Sequence, residues 1–268
     1  MERASAPRRV EHVRGAEVTA VDDRVVVEAP LEIRLSGVPL AVVMRTPGSD
    51  QALITGFALT EGIALSPDEI ADIVLIGEDE DDARWELRLA PGIEVDPERF
   101  RRNLYATSSC GVCGKASIDA VRVAATMPAP VPIDAATLRT LPDLMRTRQA
   151  AFDATGGIHA AVLFTADGEP IAAAEDVGRH NAVDKVIGMV AAEQWPLSGR
   201  ALLVSGRVSF EVVQKAAVAG IGLIAAVSAP SSLAIDLGSE LGMTIVGFLR
   251  GDSFNVYAGS VGAPFSLR

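Results

Sequence analysis

The chain has 268 residues, 49% of them hydrophobic and 4% aromatic, so it can bury a core built from Val, Ile, Leu and Ala. Its formal net charge of -11 argues against a general nucleic-acid binder, which needs surplus Lys and Arg, but allows a local basic pocket for one small anion. No apolar stretch reaches the ~18 residues of a membrane-spanning helix, and no hydrophobic run follows Arg3, Arg8 and Arg9 as a secretion signal requires. A cytoplasmic protein with no membrane partner is expected.

Residues 1–15 are polar and basic, and a flexible start is expected there. Strand-like runs follow at 24–28, 31–35 and 40–44, with Ser36-Gly37 turning the last two into a hairpin. Thr46-Pro47-Gly48-Ser49-Asp50 reads as a turn into a helix over 51–61, capped by Ser49 or Asp50. Pro67 suits the first position of another helical turn. Runs 73–76 and 85–89 flank an acidic segment, 78–82, that reads as a solvated loop, and the two runs are expected to pair. These pieces make a small α+β domain over 16–100.

Residues 127–142 carry four prolines and read as a connector, with a helix over 141–151 after it. The rest alternates between strands at 159–164, 171–174, 201–204, 223–227 and 244–249 and helices at 181–192, 210–219 and 231–241. Continuous apolar strands separated by helices indicate an α/β layered sheet with buried, partly parallel strands, in a larger domain over 101–268.

The two cysteines, Cys110 and Cys113, lie in Thr107-Ser108-Ser109-Cys110-Gly111-Val112-Cys113-Gly114-Lys115. A secreted disulfide scaffold would use more of them and spread them. Beyond them Ile118, Val121 and Ala125 share one helical face, which puts the cysteines on a glycine-flexible loop entering a helix N-terminus. The helix dipole and free N–H groups favour thiolate there, and Lys115 pushes the same way. Such a thiolate accepts sulfane sulfur well. The pair also reads as half a zinc site, with His159 and His180 as further ligands, although the spacing is unlike a compact zinc finger. A dithiol–disulfide switch and inert core thiols are the remaining readings.

A second constellation is Glu175-Asp176-Val177-Gly178-Arg179-His180-Asn181-Ala182-Val183-Asp184-Lys185. A strand turns through Gly178 into a helix whose free N–H groups can hold an anion, supplemented by Arg179, His180 and Lys185. The competing reading is a charged capping segment with Asp176 as N-cap. Ser205-Gly206-Arg207-Val208-Ser209 and Ser228-Ala229-Pro230-Ser231-Ser232 are further strand-to-helix mouths, and Arg207 joins Arg179 and His180 as a candidate phosphate contact. After the final strand, the segment from Phe248 through Leu249, Arg250, Gly251, Asp252 and Ser253 to Tyr257 offers an aromatic face, an Arg and an Asp to a purine nucleotide.

Taken together these strings resemble the formate dehydrogenase accessory sulfurtransferase family, FdhD. Pro30-Leu31-Glu32-Ile33-Arg34, Met44-Arg45-Thr46-Pro47-Gly48, Thr60-Glu61-Gly62-Ile63 and Gly157-Ile158-His159-Ala160-Ala161 match in order with the segments above. The resemblance implies a small N-terminal α+β domain and a larger domain similar to the cytidine-deaminase architecture. It implies that a cysteine desulfurase hands sulfur to Cys110 as a persulfide, with Cys113 helping its transfer. The acceptor it implies is the molybdenum cofactor in its Mo-bis-molybdopterin guanine dinucleotide form, bound as substrate and not permanently. The client would be formate dehydrogenase, the cofactor-binding segment Phe248, Leu249, Arg250, Gly251, Asp252 and Ser253, and the assembly a homodimer. A zinc nucleoside deaminase is the rival on such a fold, but it needs a glutamate two residues after a His or Cys ligand. His159 and His180 are each followed at that position by Ala, and Ser109 rather than Pro precedes Cys110. A non-catalytic chaperone that binds cofactor or apo-dehydrogenase also fits.

Overall fold

The structure, a computed structural model, describes residues 4–77, 83–96 and 127–262. Cys110 and Cys113, with the helix expected after them and the acidic segment 78–82, lie outside the described residues.

β1 (Ser5–Arg14) and β2 (Glu17–Val26) form an antiparallel ribbon that turns at Gly15, whose φ of 62° is the left-handed conformation glycine tolerates. Residues 5–14, expected to be flexible, are therefore strand. Their pairing comes from residues 17–26, which place Val21 opposite Val10 and Val18 opposite Val13. Almost all of the ribbon is exposed. Its base is anchored by buried Ser5, which accepts from Arg24, and by Val27 N–H donating to Ala4 O.

β3 (Ala29–Leu35), β4 (Val38–Arg45), β5 (Ile70–Leu75) and β6 (Arg84–Leu89) make a four-stranded sheet in the order β4-β3-β6-β5. Alternation along β3 points Leu31, Ile33 and Leu35 inward, where α1 (Asp50–Thr60) covers them with Leu53, Ile54 and Phe57. Pro67 opens a 3-10 turn, as its fixed φ favours.

The six-stranded sheet holds β7 (His159–Phe164), β8 (Pro170–Asp176), β9 (Ala201–Val204), β10 (Leu223–Ala226), β11 (Thr244–Arg250) and β12 (Ser253–Ala258), in the order β12-β11-β10-β9-β7-β8. β9, β10 and β11 are parallel, whereas β7 is antiparallel to both its neighbours. One face, with Leu163, Leu202, Ile224 and Ile245, packs under α4 (Arg179–Val190), α5 (Phe210–Val218) and α6 (Ser232–Glu240). The other, with Val162, Phe164, Leu203 and Val246, packs against α2 (Ala135–Arg146), which precedes the short α3 (Ala150–Thr155). Burial on both faces is why these strands read as unbroken apolar runs.

Two further segments differ from expectation. α2 begins at Ala135, inside the expected connector, because Asp134 caps it by accepting from Thr137 N at 2.7 Å. Leu138, Leu141 and Met145, three and four apart, bury against the sheet and carry Pro142 within the helix. Beyond the expected last strand, residues 253–258 form β12 on the sheet edge. Among the described residues no helix is long and apolar enough to cross a membrane.

The two sheets are joined through α1 and α4, which cross at glycines. A Cβ on Gly56 would stand 1.9 Å from the Asp184 carbonyl oxygen, and one on Gly188 would stand 1.9 Å from that of Ala52. Beside the crossing, Lys215 of α5 contacts Glu61 at 2.9 Å and Asp184 at 3.0 Å and donates to Thr60 Oγ1 at 3.0 Å.

Candidate functional site

Strand directions gather the sequence candidates. β8, β9, β10 and β11 end on the edge where β7 and β12 begin. That edge therefore holds His159, the Asp176–His180 turn, the Ser205–Ser209 and Ser228–Ser231 mouths, and the turn from Arg250 to Ser253. In open α/β sheets the carboxyl ends of parallel strands are where ligands bind. The mouths are tied together: Val208 N donates to Ala229 O, Ser231 N to Val208 O and Phe248 N to Ser228 O.

The capping reading accounts for much of the run from Glu175 to Lys185. Glu175 accepts from Ala151 N and Phe152 N, both at 2.8 Å, and so caps α3. Fully buried Asp176 accepts from Thr46 N, Gly178 N and Asn181 Nδ2 and pairs with Lys185 at 2.7 Å. The N-cap of α4 is Gly178, not Asp176. Lys185, expected among the anion contacts, is 2% exposed and donates to Thr46 O at 2.8 Å. The loop at Thr46, distant in sequence, supplies partners that the local pattern could not reveal.

Arg179 and His180 are what this run leaves near the edge. His180 is largely buried, with Nε2 3.0 Å from Ser209 Oγ and Nδ1 3.3 Å from Glu211 Oε2. Burial, then the charges of Arg179 and Lys215, pull its pKa down to about 3, so it is neutral near pH 7 and brings no charge to an anion. Burial and then Arg179 also lower His159. Gly206 lies against both, since a Cβ there would be 3.2 Å from His159 Nδ1 and 3.7 Å from Arg179 Cβ. The positive charges near this edge are those of half-buried Arg179 and exposed Arg207 and Arg250.

The segment from Phe248 to Ser253 divides by burial. Phe248 takes a left-handed φ of 54° at an irregularity between Gly247 and Arg250, and its ring lies 5.5 Å from the Arg250 guanidinium. Leu249 is fully buried in the core facing α2, so its side chain belongs to the core and not to a ligand surface. Gly251, Asp252 and Ser253 are exposed. Gly251 and Asp252 border a cavity of about 380 Å³ with Arg139 and Asp143. A second cavity of about 590 Å³ is lined by His159, Ser205, Val227, Gln149 and Phe152. Sequence reasoning missed Arg139, which the capped amphipathic pattern of α2 could have revealed, and Gln149 and Phe152 at the start of α3, for which the sequence carried no comparable signal. A cavity of about 660 Å³ in the smaller unit, bordered by Arg45, Ser49 and Trp85, contains none of the candidates. Among the described residues no group of three or more His, Cys, Asp or Glu could hold a metal ion.

Fold and edge together define a two-unit α/β protein whose candidate ligand groups gather at the carboxyl edge of its larger sheet. Residues 26–262 match the model of the FdhD/NarQ family, and the chain belongs to that family. It is 50% identical to a sulfur carrier protein FdhD of Streptomyces coelicolor, covering 97% of this chain and 96% of that one. A sulfur carrier protein FdhD of Mycobacterium tuberculosis is 48% identical, over 95% of this chain and 96% of the relative. A solved structure from Desulfotalea psychrophila, of a protein named as a formate dehydrogenase accessory protein, superposes with a TM-score of 0.76. It is 22% identical and covers 96% of this chain and 97% of that one, which establishes likeness of fold.

Proposed function

We propose that this chain is a sulfurtransferase that accepts sulfane sulfur from a cysteine desulfurase on Cys110, as a persulfide, and passes it to the molybdenum cofactor for formate dehydrogenase. The observation that carries the reading is identity near 50% to sulfur carrier proteins over almost the whole chain. The sequence supplies the chemistry: a Cys110–Cys113 pair among glycines, with Lys115 beside it to favour the thiolate. Cys113 assists transfer. The bound substrate is the Mo-bis-molybdopterin guanine dinucleotide, its phosphates met by Arg179 and Arg207. Phe248, Arg250, Gly251, Asp252 and Ser253 meet the nucleotide, with Leu249 contributing main chain only and His180 a neutral ring. Support for this placement is that these residues share one sheet edge with exposed arginines. The same reading includes a cytoplasmic homodimer and a larger unit of cytidine-deaminase architecture, a likeness supported by the order β8-β7-β9-β10-β11 with its leading antiparallel pair.

The test is intact mass after incubation with a cysteine desulfurase and cysteine. A reductant-labile gain of one sulfur atom is expected, and it disappears in Cys110→Ala. Absence of that gain sinks the carrier reading: stoichiometric zinc on the purified chain would then favour a metal site. Cofactor binding without sulfur loading would favour a non-catalytic chaperone.

A further inference from the structure

Among the described residues, buried polar side chains are paired with one exception. Thr46 Oγ1 accepts from Val177 N, Asn181 Nδ2 donates to Met44 O and Thr244 Oγ1 donates to Ser260 O. Gln149 is the exception: it is 5% exposed, yet its carboxamide makes no hydrogen bond. It stands at the N-cap of α3 without capping it, because the Glu175 carboxylate already takes the Ala151 and Phe152 N–H groups. A buried amide left unpaired is costly, so folding alone does not account for one here. Neither amide atom is sealed from solvent, and the side chain borders the cavity of about 590 Å³.

The walls of that cavity suit a flat heterocycle. Met145, Ile158 and Val227 are apolar, and the Phe152 ring, with the Arg146 guanidinium 4.9 Å from its centroid, adds a planar face. Ser205 Oγ accepts from Ala160 N, which leaves its hydroxyl proton to donate. Asp143 contributes a carboxylate with no partner among the described residues, an acceptor only when ionised. A few polar groups set in apolar walls are how small-molecule sites of ~300–1,000 Å³ orient a ligand. Pro142 and Asp143 also border the smaller cavity at Gly251 and Asp252, so the two cavities adjoin.

We propose that this cavity is the base subsite for the bound nucleotide, in which Gln149 and Asp143 select guanine. The assignment rests on the guanine dinucleotide being the substrate, and it leaves the adjoining Gly251–Asp252 turn to the ribose. A carboxamide sets a donor beside an acceptor, and either purine offers an edge that complements it. Asp143 makes the choice. With Gln149 donating to guanine O6, the carboxylate accepts from N1–H and the 2-amino group. Adenine would turn its N1 lone pair toward the same carboxylate and has no 2-amino group to offer.

The experiment measures equilibrium binding of GDP, inosine diphosphate and ADP to the full chain. These probes share ribose and phosphates and differ only in the base. GDP should bind tighter than ADP by about tenfold or more, the worth of one bidentate base contact, with inosine diphosphate between them. Gln149→Met keeps the bulk of the side chain and should weaken GDP by about tenfold. Its melting temperature without ligand should not fall, because the folded chain makes no use of the amide. Photolabelling of the unaltered chain with 8-azido-GDP should map to residues 142–159, which locates the base without any variant. Equal binding of GDP and ADP, unchanged GDP affinity in Gln149→Met, a lowered melting temperature, or label confined to residues 248–253 would overturn the subsite. Each of these leaves the carrier reading standing, since sulfur loading at Cys110 is measured separately. No binding of GDP at all would overturn both the subsite and the guanine dinucleotide as substrate.

Discussion

Lys215 is 2% exposed and surrounded by Glu61, Asp184 and Thr60. Burial alone would lower its pKa, but Asp184, Glu61 and Glu211 more than reverse this and hold it charged. Two carboxylates facing one ammonium leave the cluster one proton short of neutral. Burial pushes Asp184 up to about 6, and Lys215 only partly pulls it back. The folded chain then binds that proton more tightly than the unfolded one. The stability this gives is full below the ordinary aspartate value of 3.8 and lost as the pH rises through about 6. Asp184→Asn imitates the protonated form. Urea unfolding from pH 4 to pH 7.5 should show the wild type losing stability relative to this variant by on the order of 2 kcal/mol. Parallel curves would remove Asp184 as the titrating group.

At the level of elements, the crossing of α1 and α4 is the contact most sensitive to one added carbon. Gly188→Ala puts a methyl 1.9 Å from the Ala52 carbonyl oxygen, and backbone must move to relieve it. Overpacking of this kind costs about 3 kcal/mol. Gly157→Ala is the control, because its nearest neighbours would be 3.8 and 3.9 Å away. Denaturant midpoints should fall clearly for the first and hardly for the second. Much of this architecture was legible beforehand. Alternation gave β3, the Ser36-Gly37 break gave its hairpin with β4, and the apolar runs gave β7, β9, β10 and β11. What escaped depended on partners far along the chain. β1 needs β2, and Lys185 is taken up by Thr46 and Asp176, so its charge was read as available for a ligand. α2 was hidden by Pro142, whose helix-breaking tendency is overridden by packing on the sheet. The meeting of three strand-to-helix mouths and the β11–β12 turn on one edge follows from strand direction, which no local pattern encodes.

Across the whole molecule, the family match begins at residue 26, where the ribbon ends. The ribbon touches the rest mainly at its base, and an isolated two-stranded hairpin contributes little stability of its own. A chain beginning at residue 27 should therefore unfold cooperatively, within about 1 kcal/mol of the full chain by calorimetry, the range of changes made away from a core. A loss of several times that would mean the ribbon braces the body. The glycine crossing has a wider bearing. With carbonyl oxygens seated where side chains would otherwise stand, neither helix can slide along the other by a residue without meeting a Cβ. The small unit is thus keyed to the large one like a tenon in a mortise, and any gate for an incoming substrate has to be made from loops, not from a swing of one unit against the other.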